Sequence, residues 1–485
     1  MIPLTLKSAN RVYLEGVLND FNGGDRHIML NRLYSNELTL RPVGRIVPPD
    51  ERTQIPRISR LAPRRLTPRR VMMFRNGPRC NNEASPCQGT PSAKRTPWQD
   101  NAACRLRKHH RTHFFKDFTT MSHRILLAAF LLVVTPAFLQ AQDRYRVYLG
   151  TYTGEVSKGI YQCELNLKDG SLSSATLAGE TNSPSFLAFH PTRNFIYAVN
   201  EGQATISALA IDEKTGNLTL LNSQPSRGGA PCHLVVDATG KNVLAANYSG
   251  GSCISIAIES DGKLGKTFSF KQHVGKRTNG HSIHVDKSNN FALCCDLGLD
   301  QVIIYAFDAG RGTLTSHGVF DTPKGTGPRH FAWHPDGKTA YINGESNLTI
   351  VACDYNATKG VLTQKQVLST LPKDVTRRGG STAETVVHPS GKFVYVSNRD
   401  PYNSIAIFSI DPRTHKLTAV GHQGMGVKTP RNFAIEPTGQ YMLVANQSGG
   451  NVIVFRINQS TGELSPTNAS VQVPNPVCVR FMEIK

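Results

Sequence analysis

A phrase that returns about every 48 residues is the feature that most constrains the fold of this 485-residue chain. Each copy contains an apolar strand, a tight turn such as His-Pro-x-Gly-Lys, a second apolar strand and then a polar residue. The first residues of these turns are His190, Asp237, Asp286, His334, His388 and Glu436. They lie 47, 49, 48, 54 and 48 residues apart, so one structural unit is repeated along the chain.

Each unit has room for four β-strands. A third apolar strand follows the second, and a Gly-x-Leu turn, as in Gly216-Asn217-Leu218 and Gly462-Glu463-Leu464, leads into a fourth β-rich stretch. Pro and Gly in the turns preset the backbone for tight reversal. Four strands in a unit of about 48 residues are typical of a β-propeller blade.

Six copies are complete, and a seventh can be assembled from RVYLGTYT (146–153) and VCVRFMEI (477–484) at the two ends of the repeat region. We therefore predict an all-β fold for residues 142–485: a seven-bladed β-propeller with four-stranded blades, closed by pairing of its N-terminal and C-terminal strands. Such closure also removes the open sheet edges on which proteins aggregate.

Residues 1–120 have a different composition. They hold 22 Lys and Arg against 9 Asp and Glu, which accounts for +13 of the formal net charge of +20. No apolar periodicity persists in this Arg- and Pro-rich segment, so we expect a disordered or untranslated extension. A basic arm that binds phosphates is one alternative. A zinc site is another, although the spacing fits no familiar zinc pattern; its ligands would be Cys80, Cys87, Cys104, His109, His110 and His113.

Residues 121–141 are typical of a secretory signal peptide, with a basic start, an apolar run over 125–138 and a small residue at Ala141. We expect translation to start at Met121 and the mature protein to be exported, to the periplasm or outside the cell, without an integral membrane span. If Met121 is not the start, the protein is cytoplasmic and the run is a buried core segment. The mature part keeps seven cysteines, and this odd number predicts buried thiols rather than a disulfide framework.

Alignment of the six copies shows where polar residues gather. Five positions before each turn residue, where the innermost strand begins, stand Ser185, Cys232, His281, Arg329, Ala383 and Arg431. The next position holds Phe186, His233, Ser282, His330, Glu384 and Asn432. At the end of the second strand stand Glu201, Tyr248, Leu297, Glu345, Arg399 and Gln447. Because adjacent antiparallel strands bring these positions to one edge of the blade, we expect them at one mouth of the central channel.

Convergent polar groups in a concave opening favour a ligand site, and this mouth collects charged residues. We predict the catalytic residues to be His281, Arg329, Glu345 and Arg399. We predict the substrate-binding residues to be His233, Glu384, Arg431 and Gln447. The alternative is a rim of ion pairs with a purely structural role. Four further histidines are expected to be structural: His284 in the apolar column of the inner strand, and His190, His334 and His388 at the turns.

The residues that carry a family resemblance are GTYT (150–153), PCHL (231–234), HSIHVD (281–286), DLGLDQV (296–302), GPRHFAWHPDGK (327–338), HPSGKFVYVSNRD (388–400), PRNFAI (430–435) and VANQS (444–448). Together they resemble the seven-bladed propeller lactonase family, which includes a bacterial 6-phosphogluconolactonase and a fungal carboxy-muconate cycloisomerase. The resemblance covers residues 146–485, and the family's site residues map onto His281, Arg329, Glu345 and Arg399. Two positions depart from the family pattern: Asn279 replaces a His, and Gly344 precedes Glu345 where the family often has Asn.

The resemblance implies hydrolysis of a small anionic lactone, 6-phosphogluconolactone or a related exported substrate. Glu345 or His281 is expected to activate water, while Arg329 and Arg399 bind anionic groups and Arg431 serves as an outer anchor. The sequence has no Gly-x-Ser-x-Gly elbow, P-loop or dinucleotide fingerprint, so we expect neither an acyl-enzyme nor a nucleotide cofactor. No convincing metal-ligand cluster is present, so we expect metal-free chemistry. Most of the excess positive charge lies in residues 1–120, so we expect no nucleic-acid partner. A muconate-type cycloisomerase and a non-catalytic binding propeller remain the alternatives. The sequence carries no indication of oligomeric state.

Overall fold

The computed structural model describes residues 143–484. The predictions for residues 1–120 and for the signal peptide at 121–141 lie outside this range. Within it the chain forms seven four-stranded antiparallel sheets and one short 3-10 helix, Glu201–Gln203. None of the described helices is long and apolar enough to cross a membrane.

Six blades use consecutive strands, with the innermost strand first. Blade 2 contains β4 (Leu187–Phe189), β5 (Phe195–Asn200), β6 (Thr205–Ile211) and β7 (Leu218–Pro225). Blade 3 contains β8 (Gly229–Val236), β9 (Asn242–Ser249), β10 (Ser252–Ile258) and β11 (Leu264–Gln272). Blade 4 contains β12 (Gly280–Val285), β13 (Phe291–Asp296), β14 (Gln301–Asp308) and β15 (Thr313–Asp321).

The remaining three of these blades follow the same order. Blade 5 contains β16 (Pro328–Trp333), β17 (Thr339–Gly344), β18 (Thr349–Asn356) and β19 (Val361–Ser369). Blade 6 contains β20 (Thr382–Val387), β21 (Phe393–Asn398), β22 (Ser404–Ile410) and β23 (Leu417–Gln423). Blade 7 contains β24 (Pro430–Ile435), β25 (Tyr441–Asn446), β26 (Asn451–Ile457) and β27 (Leu464–Gln472).

Blade 1 is built from both ends of the propeller. It contains β1 (Arg144–Thr151), β2 (Gly159–Asn166) and β3 (Thr176–Glu180), and its innermost strand is β28 (Pro476–Glu483). In the register of this closure Val147 lies opposite Phe481 and Leu149 lies opposite Val479. The prediction of a seven-bladed propeller with ring closure by the terminal strands is therefore confirmed.

Burial falls from the second strand of a blade to its outer edge. Every residue of β17, β21 and β25 is buried, because the second strand is covered by a neighbouring blade on each face. The outer strand β15 has only two buried residues, Leu314 and Phe320. The continuous apolar runs of the sequence are thus second strands, and the polar stretches are outer strands facing solvent.

The hydrophobic core lies between blades. One cluster joins Leu293 and Val302 of blade 4 to Phe331 and Ile342 of blade 5, and another joins Tyr395 of blade 6 to neighbours in blade 7. All seven described cysteines are unpaired and buried, which confirms the prediction of buried thiols.

Buried tyrosines add a repeated hydrogen bond to this packing. The hydroxyl of Tyr197 on β5 donates to the Gly262 carbonyl in blade 3 at 2.9 Å. The same bond from a second strand to the next blade's outer turn joins Tyr148 to Gly216 and Tyr395 to Gly462, both at 2.8 Å. These bonds fix the positions of three outer turns against the preceding blades.

We expect Tyr197→Phe to lower the free energy of unfolding by about 1 kcal/mol, because the Gly262 carbonyl loses its buried donor. The measurement is the midpoint of urea unfolding. Tyr161→Phe on β2 is the matched control, since among the described residues no hydrogen bond uses that hydroxyl, and it should change stability by less than about 0.5 kcal/mol. Equal effects of the two substitutions would contradict a role for the inter-blade bond.

Candidate active site

Register shifts position the first site residues. In blades 3 to 7 the pairing of the innermost strand with the second strand is interrupted close to the start of the innermost strand. The interruptions fall at Cys232, His281, Arg329–His330, Ala383–Glu384 and Arg431. A bulge changes the direction of the side chain it carries and is frequent next to active sites. The innermost strands of blades 3 to 7 therefore share a register shift at the positions predicted to line the mouth.

The centre of the mouth is an ion-pair cluster of Arg329, Glu345 and Arg399. Nε of Arg329 lies 2.7 Å from Oε2 of Glu345, and Nη2 of Arg399 lies 3.1 Å from Oε1 of the same carboxylate. Glu345 and Arg329 belong to blade 5 and Arg399 to blade 6. The Glu345 side chain keeps 24% of its surface exposed, so the pairs leave the cluster open to a ligand. The sequence left a structural rim of ion pairs as the alternative to a ligand site. Ion pairs are present, and their shared carboxylate, Glu345, is accessible to solvent.

The two guanidinium groups are anchored by backbone carbonyls as well. Arg329 donates to the carbonyl of Ala383, and Nη2 of Arg399 donates to the carbonyl of Thr382 at 3.0 Å. Burial lowers the pKa of Arg329 to about 10 and also lowers the pKa of Arg399. Both groups remain cationic at neutral pH, so the site presents two fixed positive charges.

His281 completes this group, and we call His281, Arg329, Glu345 and Arg399 the mouth cluster. Nε2 of His281 lies 4.0 Å from Oε2 of Glu345. Burial of the imidazole, and then the charge of Arg329, hold the pKa of His281 well below its usual value. The ring is therefore neutral at neutral pH and has a lone pair available to accept a proton.

On the other side of the mouth, Arg431 joins a chain of hydrogen bonds that the sequence did not identify. Its Nη2 donates to the hydroxyl of Tyr152 at 2.6 Å, and its guanidinium lies 5.1 Å from the centre of the Tyr152 ring. The Tyr152 hydroxyl donates to Oε2 of Glu201 at 2.9 Å, and Ser185 donates to the same oxygen at 2.6 Å. Arg431 is thus held at the mouth, where its charge faces the mouth cluster.

Three residues missed by the selection from sequence lie at this mouth: Tyr152, Glu201 and Tyr248. Glu201 and Tyr248 occupy the same aligned column as Glu345, and the Tyr248 ring lies 5.6 Å from the ring of His281. The column therefore contained the information needed to find them. Tyr152 follows β1 in the blade assembled from both termini, so the six-copy alignment gave no position for it.

Two predicted substrate-binding residues lie one layer deeper than the mouth cluster. One carboxylate oxygen of Glu384 lies at hydrogen-bond distance, 2.7 Å, from Nδ1 of His330. The other oxygen accepts a hydrogen bond from the side-chain amide of Asn432. His233 accepts the backbone N–H of Ile283 through Nδ1 at 3.3 Å. Burial raises the pKa of Glu384 to about 7 and places the pKa values of His233 and His330 well below the usual range. His233 and Glu384 also line the cavity that lies toward the other half of the channel.

That other half contains a cavity of about 530 Å³. His233, His284, Glu384 and Arg480 contribute its polar lining, with apolar residues of the inner strands around them. His284 was predicted to be a packed core histidine. Its ring does stack on Phe331, with the ring centres 5.0 Å apart, but it also lines this cavity, so it is not enclosed by core side chains on every side. Burial lowers its pKa to about 4.

Gln447 and Asn279 lie at the rim. Within the described range no side-chain hydrogen bond or ion pair joins Gln447 to the mouth cluster; its backbone N–H donates to Thr429 at 3.1 Å. Asn279, the residue that departs from the family pattern, donates its side-chain amide to the Tyr248 carbonyl at 3.1 Å. Its side chain thus supports the backbone beside His281.

Within residues 143–484 two groups of side chains bring metal-ligating atoms together, and neither includes a residue of the mouth cluster. One is the buried group Cys253, His273 and Cys294, and the other is His334, Asp336 and His415. The sequence predicted no metal cluster because both groups combine residues from different blades, which the one-dimensional spacing does not reveal.

The sequence profile of the family described as "Lactonase, 7-bladed beta-propeller" matches residues 146–481. A 6-phosphogluconolactonase of Bacillus subtilis is 34% identical over 348 residues, covering 70% of this chain and 99% of the relative. A 6-phosphogluconolactonase of Formosa agariphila is 33% identical, covering 66% of this chain and 94% of the relative. The solved structure of the periplasmic gluconolactonase of Pseudomonas aeruginosa is similar with a TM-score of 0.67 and 26% identity, covering 70% of this chain and 100% of that one.

The family profile extends from the first blade through the closing strand, and the similarity to the Bacillus relative takes in nearly all of that protein. The seven blades, their closure and the sequence similarity therefore agree. The chain belongs to the seven-bladed β-propeller lactonase family.

Proposed function

We propose that this protein hydrolyses a sugar-type lactone at the mouth cluster. The observation that carries the proposal is the contact of Arg329 and Arg399 with one carboxylate, Glu345, beside the neutral ring of His281. Two fixed cations and a neutral base at an open channel mouth are the groups that ester hydrolysis by water requires.

His281 is the proposed general base. Both oxygens of Glu345 are in ion-pair contact with guanidinium groups, so transfer of a proton to this carboxylate would weaken its pairing with Arg329 and Arg399. The neutral His281 ring takes a proton from water as the water oxygen attacks the carbonyl carbon of the lactone. The imidazolium that forms lies 4.0 Å from the Glu345 carboxylate, which stabilises it.

Collapse of the tetrahedral intermediate completes the reaction. Arg329 or Arg399 donates to the oxyanion while negative charge develops on it. The bond between the carbonyl carbon and the ring oxygen then breaks, and His281 returns its proton to that oxygen. The product is an open hydroxy acid, and the free base is restored.

The charges around the mouth support an anionic substrate. Beyond the mouth cluster, Arg431 is held by Tyr152, and Arg377 donates to the backbone carbonyl of Ser346, next to Glu345. Arg377 belongs to the segment between β19 and β20 that makes the step from His334 to His388 longer than the others. Guanidinium groups bind phosphate and carboxylate with paired hydrogen bonds. These groups favour 6-phosphogluconolactone or a related anionic lactone, in agreement with the names of the Bacillus and Formosa relatives.

We also propose that the protein is exported after cleavage of residues 121–141. The support is the basic start, short apolar run and small residue of that segment, together with the periplasmic location stated for the Pseudomonas gluconolactonase. An exported enzyme would meet lactones outside the cytoplasm, whereas phosphorylated sugar lactones are mainly cytosolic. The substrate panel must therefore include unphosphorylated anionic lactones.

We expect residues 142–485 to release acid from at least one lactone in a panel of 6-phosphogluconolactone, gluconolactone and dicarboxylic lactones. Arg329→Ala and Glu345→Ala should each lower kcat/KM by about 100-fold or more, because the first removes an oxyanion donor and the second leaves two guanidinium groups unpaired. Arg311→Ala removes an exposed arginine from the outer turn between β14 and β15; it is the control and should retain activity. A folded protein without activity on any lactone would point to a binding propeller or to cycloisomerisation.

The pH dependence should identify the base. Because the pKa of His281 lies well below 6.5, kcat/KM corrected for spontaneous hydrolysis should stay level from about pH 8 through pH 6.5 and fall only in more acidic solution. His281→Gln should abolish this acidic limb together with most of the activity. An acidic limb centred at or above pH 6.5 would exclude His281 as the base.

Circular dichroism over the same pH range is the necessary control. The pKa values of His233, His281 and His330 are lowered in the folded protein, so the unfolded chain binds more protons below pH 6.5. Stability is therefore lost as the pH falls below that value, and rates are comparable only where the fold persists.

Export is tested by expressing the chain from Met121 in a Gram-negative host and fractionating the cells. The mature protein should be found in the periplasm, with an N-terminus near residue 142 by mass spectrometry. Replacement of Leu126 and Leu127 by Arg should keep the protein in the cytoplasm, because the apolar run is interrupted. Retention of the unaltered chain in the cytoplasm would exclude export.

A further inference from the structure

We propose that His334, Asp336 and His415 form a Zn²⁺ site between blades 5 and 6. His334 and Asp336 lie in the turn between β16 and β17, and His415 lies in the turn between β22 and β23. Arg329 lies near the start of β16, and the turn with His334 and Asp336 follows the end of the same strand. The site is therefore on the face of the propeller away from the mouth cluster. The proposal is independent of lactone hydrolysis.

The three side chains already converge. Nδ1 of His334 lies 2.8 Å from Oδ1 of Asp336, Nε2 of His415 lies 3.6 Å from Oδ2 of Asp336, and the imidazole centres are 4.1 Å apart. All three ligand atoms lie within 4.8 Å of one another. Donors bound to tetrahedral zinc at about 2.0–2.1 Å are separated by roughly 3.3 Å, so small side-chain adjustments suffice.

Hydrogen bonds behind the two histidines are compatible with tautomers that leave Nδ1 of His334 and Nε2 of His415 as acceptors. Nε2 of His334 lies 3.2 Å from the Gly391 carbonyl, which only accepts, so this nitrogen carries the proton and Nδ1 is left as an acceptor. Nδ1 of His415 lies 2.8 Å from the hydroxyl of Thr339, which can accept from it. The Nδ1 lone pair of His334 lies beside an oxygen of Asp336 and, within the described residues, accepts only a long hydrogen bond, at 3.4 Å, from the backbone N–H of Asp336. A bound cation would be ligated by both the lone pair and the carboxylate.

The repeat supplies an internal comparison for His415. The equivalent residue of every other blade is a glycine with positive φ: Gly170, Gly216, Gly262, Gly312, Gly360 and Gly462. His415 alone places a side chain there, with φ at 54°. A left-handed conformation costs a residue with a Cβ of order 1 kcal/mol, so a histidine in place of glycine needs a compensating interaction. Contact with His334 and Asp336 supplies one, and metal ligation would increase it.

Asp336 and Thr339 depart from the repeat as well. In the two other His-Pro turns the histidine Nδ1 pairs with a hydroxyl, at 2.8 Å from Thr192 in blade 2 and 2.8 Å from Ser390 in blade 6. Blade 5 has a carboxylate at this position instead. The first residue of its second strand is Thr339, where blades 2, 4 and 6 have Phe195, Phe291 and Phe393. The smaller side chain leaves room for the His415 ring.

The ligand set and exposure favour zinc. Two imidazoles and one carboxylate are ligands that Zn²⁺ takes, and a site with three protein ligands keeps a fourth position for water. The side chains of His334 and His415 are 13% and 14% exposed and that of Asp336 is 34% exposed, so an ion can enter from solvent. The nearby cation Lys365 is neutralised by Asp354 at 2.5 Å and donates to the Thr414 carbonyl. A bound ion would add a metal link between two blades that already share packing and hydrogen bonds such as that from Tyr341 to the His415 carbonyl.

The test is zinc binding to residues 142–485, the same protein as in the activity assay, after removal of metal with EDTA and dialysis. We expect isothermal titration with ZnCl₂ to show an ion bound at this site with a dissociation constant of about 10 µM or tighter, and zinc to raise the thermal midpoint. His415→Gly restores the residue of the other blades, and Asp336→Ser restores that of blade 6, so both should fold. Each should weaken this binding by about 100-fold or more, because even the loss of a partner behind a ligand costs about 10–100-fold.

Two controls separate this site from others. His190→Gln removes a turn histidine that has no carboxylate partner and should leave zinc affinity unchanged. Co²⁺ bound at His334, Asp336 and His415 should lack the thiolate charge-transfer band that the buried Cys253, His273 and Cys294 would give. No binding tighter than about 100 µM, or binding that survives both His415→Gly and Asp336→Ser, would overturn the proposal.

Discussion

Apolar packing between neighbouring blades is the interaction on which the rest of the structure depends. Each second strand is buried on both faces, and the clusters that hold the core cross from one blade to the next. Because a blade does not bury its faces alone, the ring must be complete for every blade to be covered. The pairing of β1 with β28 provides this completion, and the tyrosine bonds to the adjacent outer turns fix the relative positions of the blades.

The closed ring also supplies partners for the buried charges at the mouth. Arg329 and Glu384 are almost fully buried, and each is held by partners in a neighbouring blade: Ala383 accepts from Arg329, and Asn432 donates to Glu384. Buried charges without such partners would cost several kcal/mol. The bulges at the strand starts direct these groups toward the channel axis without disturbing the apolar column below. The same packing that stabilises the ring thus preorganises the proposed catalytic groups, which lowers the cost of reorganisation during hydrolysis.

Departures from the repeat are the most informative positions of this sequence. A repeat defines what the fold alone requires, so a residue that breaks it at a stereochemical cost indicates a further constraint. At the mouth the aligned columns vary from blade to blade, and Arg329, Glu345 and Arg399 are charged residues in these variable columns. His415 breaks the repeat at a left-handed turn where the other six blades have glycine. The two groups lie at opposite ends of the blades and belong to separate proposals, one for lactone hydrolysis and one for zinc.

The sequence by itself determined the blade number, the four-strand unit, the closure by terminal strands and the aligned columns that supply most of the mouth residues, because these follow from a period and from alternation within strands. Only the tertiary structure decided which charges meet. It paired Glu345 with both arginines, placed His233 and Glu384 one layer deeper and brought Tyr152 and Glu201 to Arg431. It also joined His415 to residues 79 and 81 positions away in an adjacent blade. Such contacts depend on bulges, rotamers and the angle between blades, and none of these is encoded in the spacing of residues along one chain.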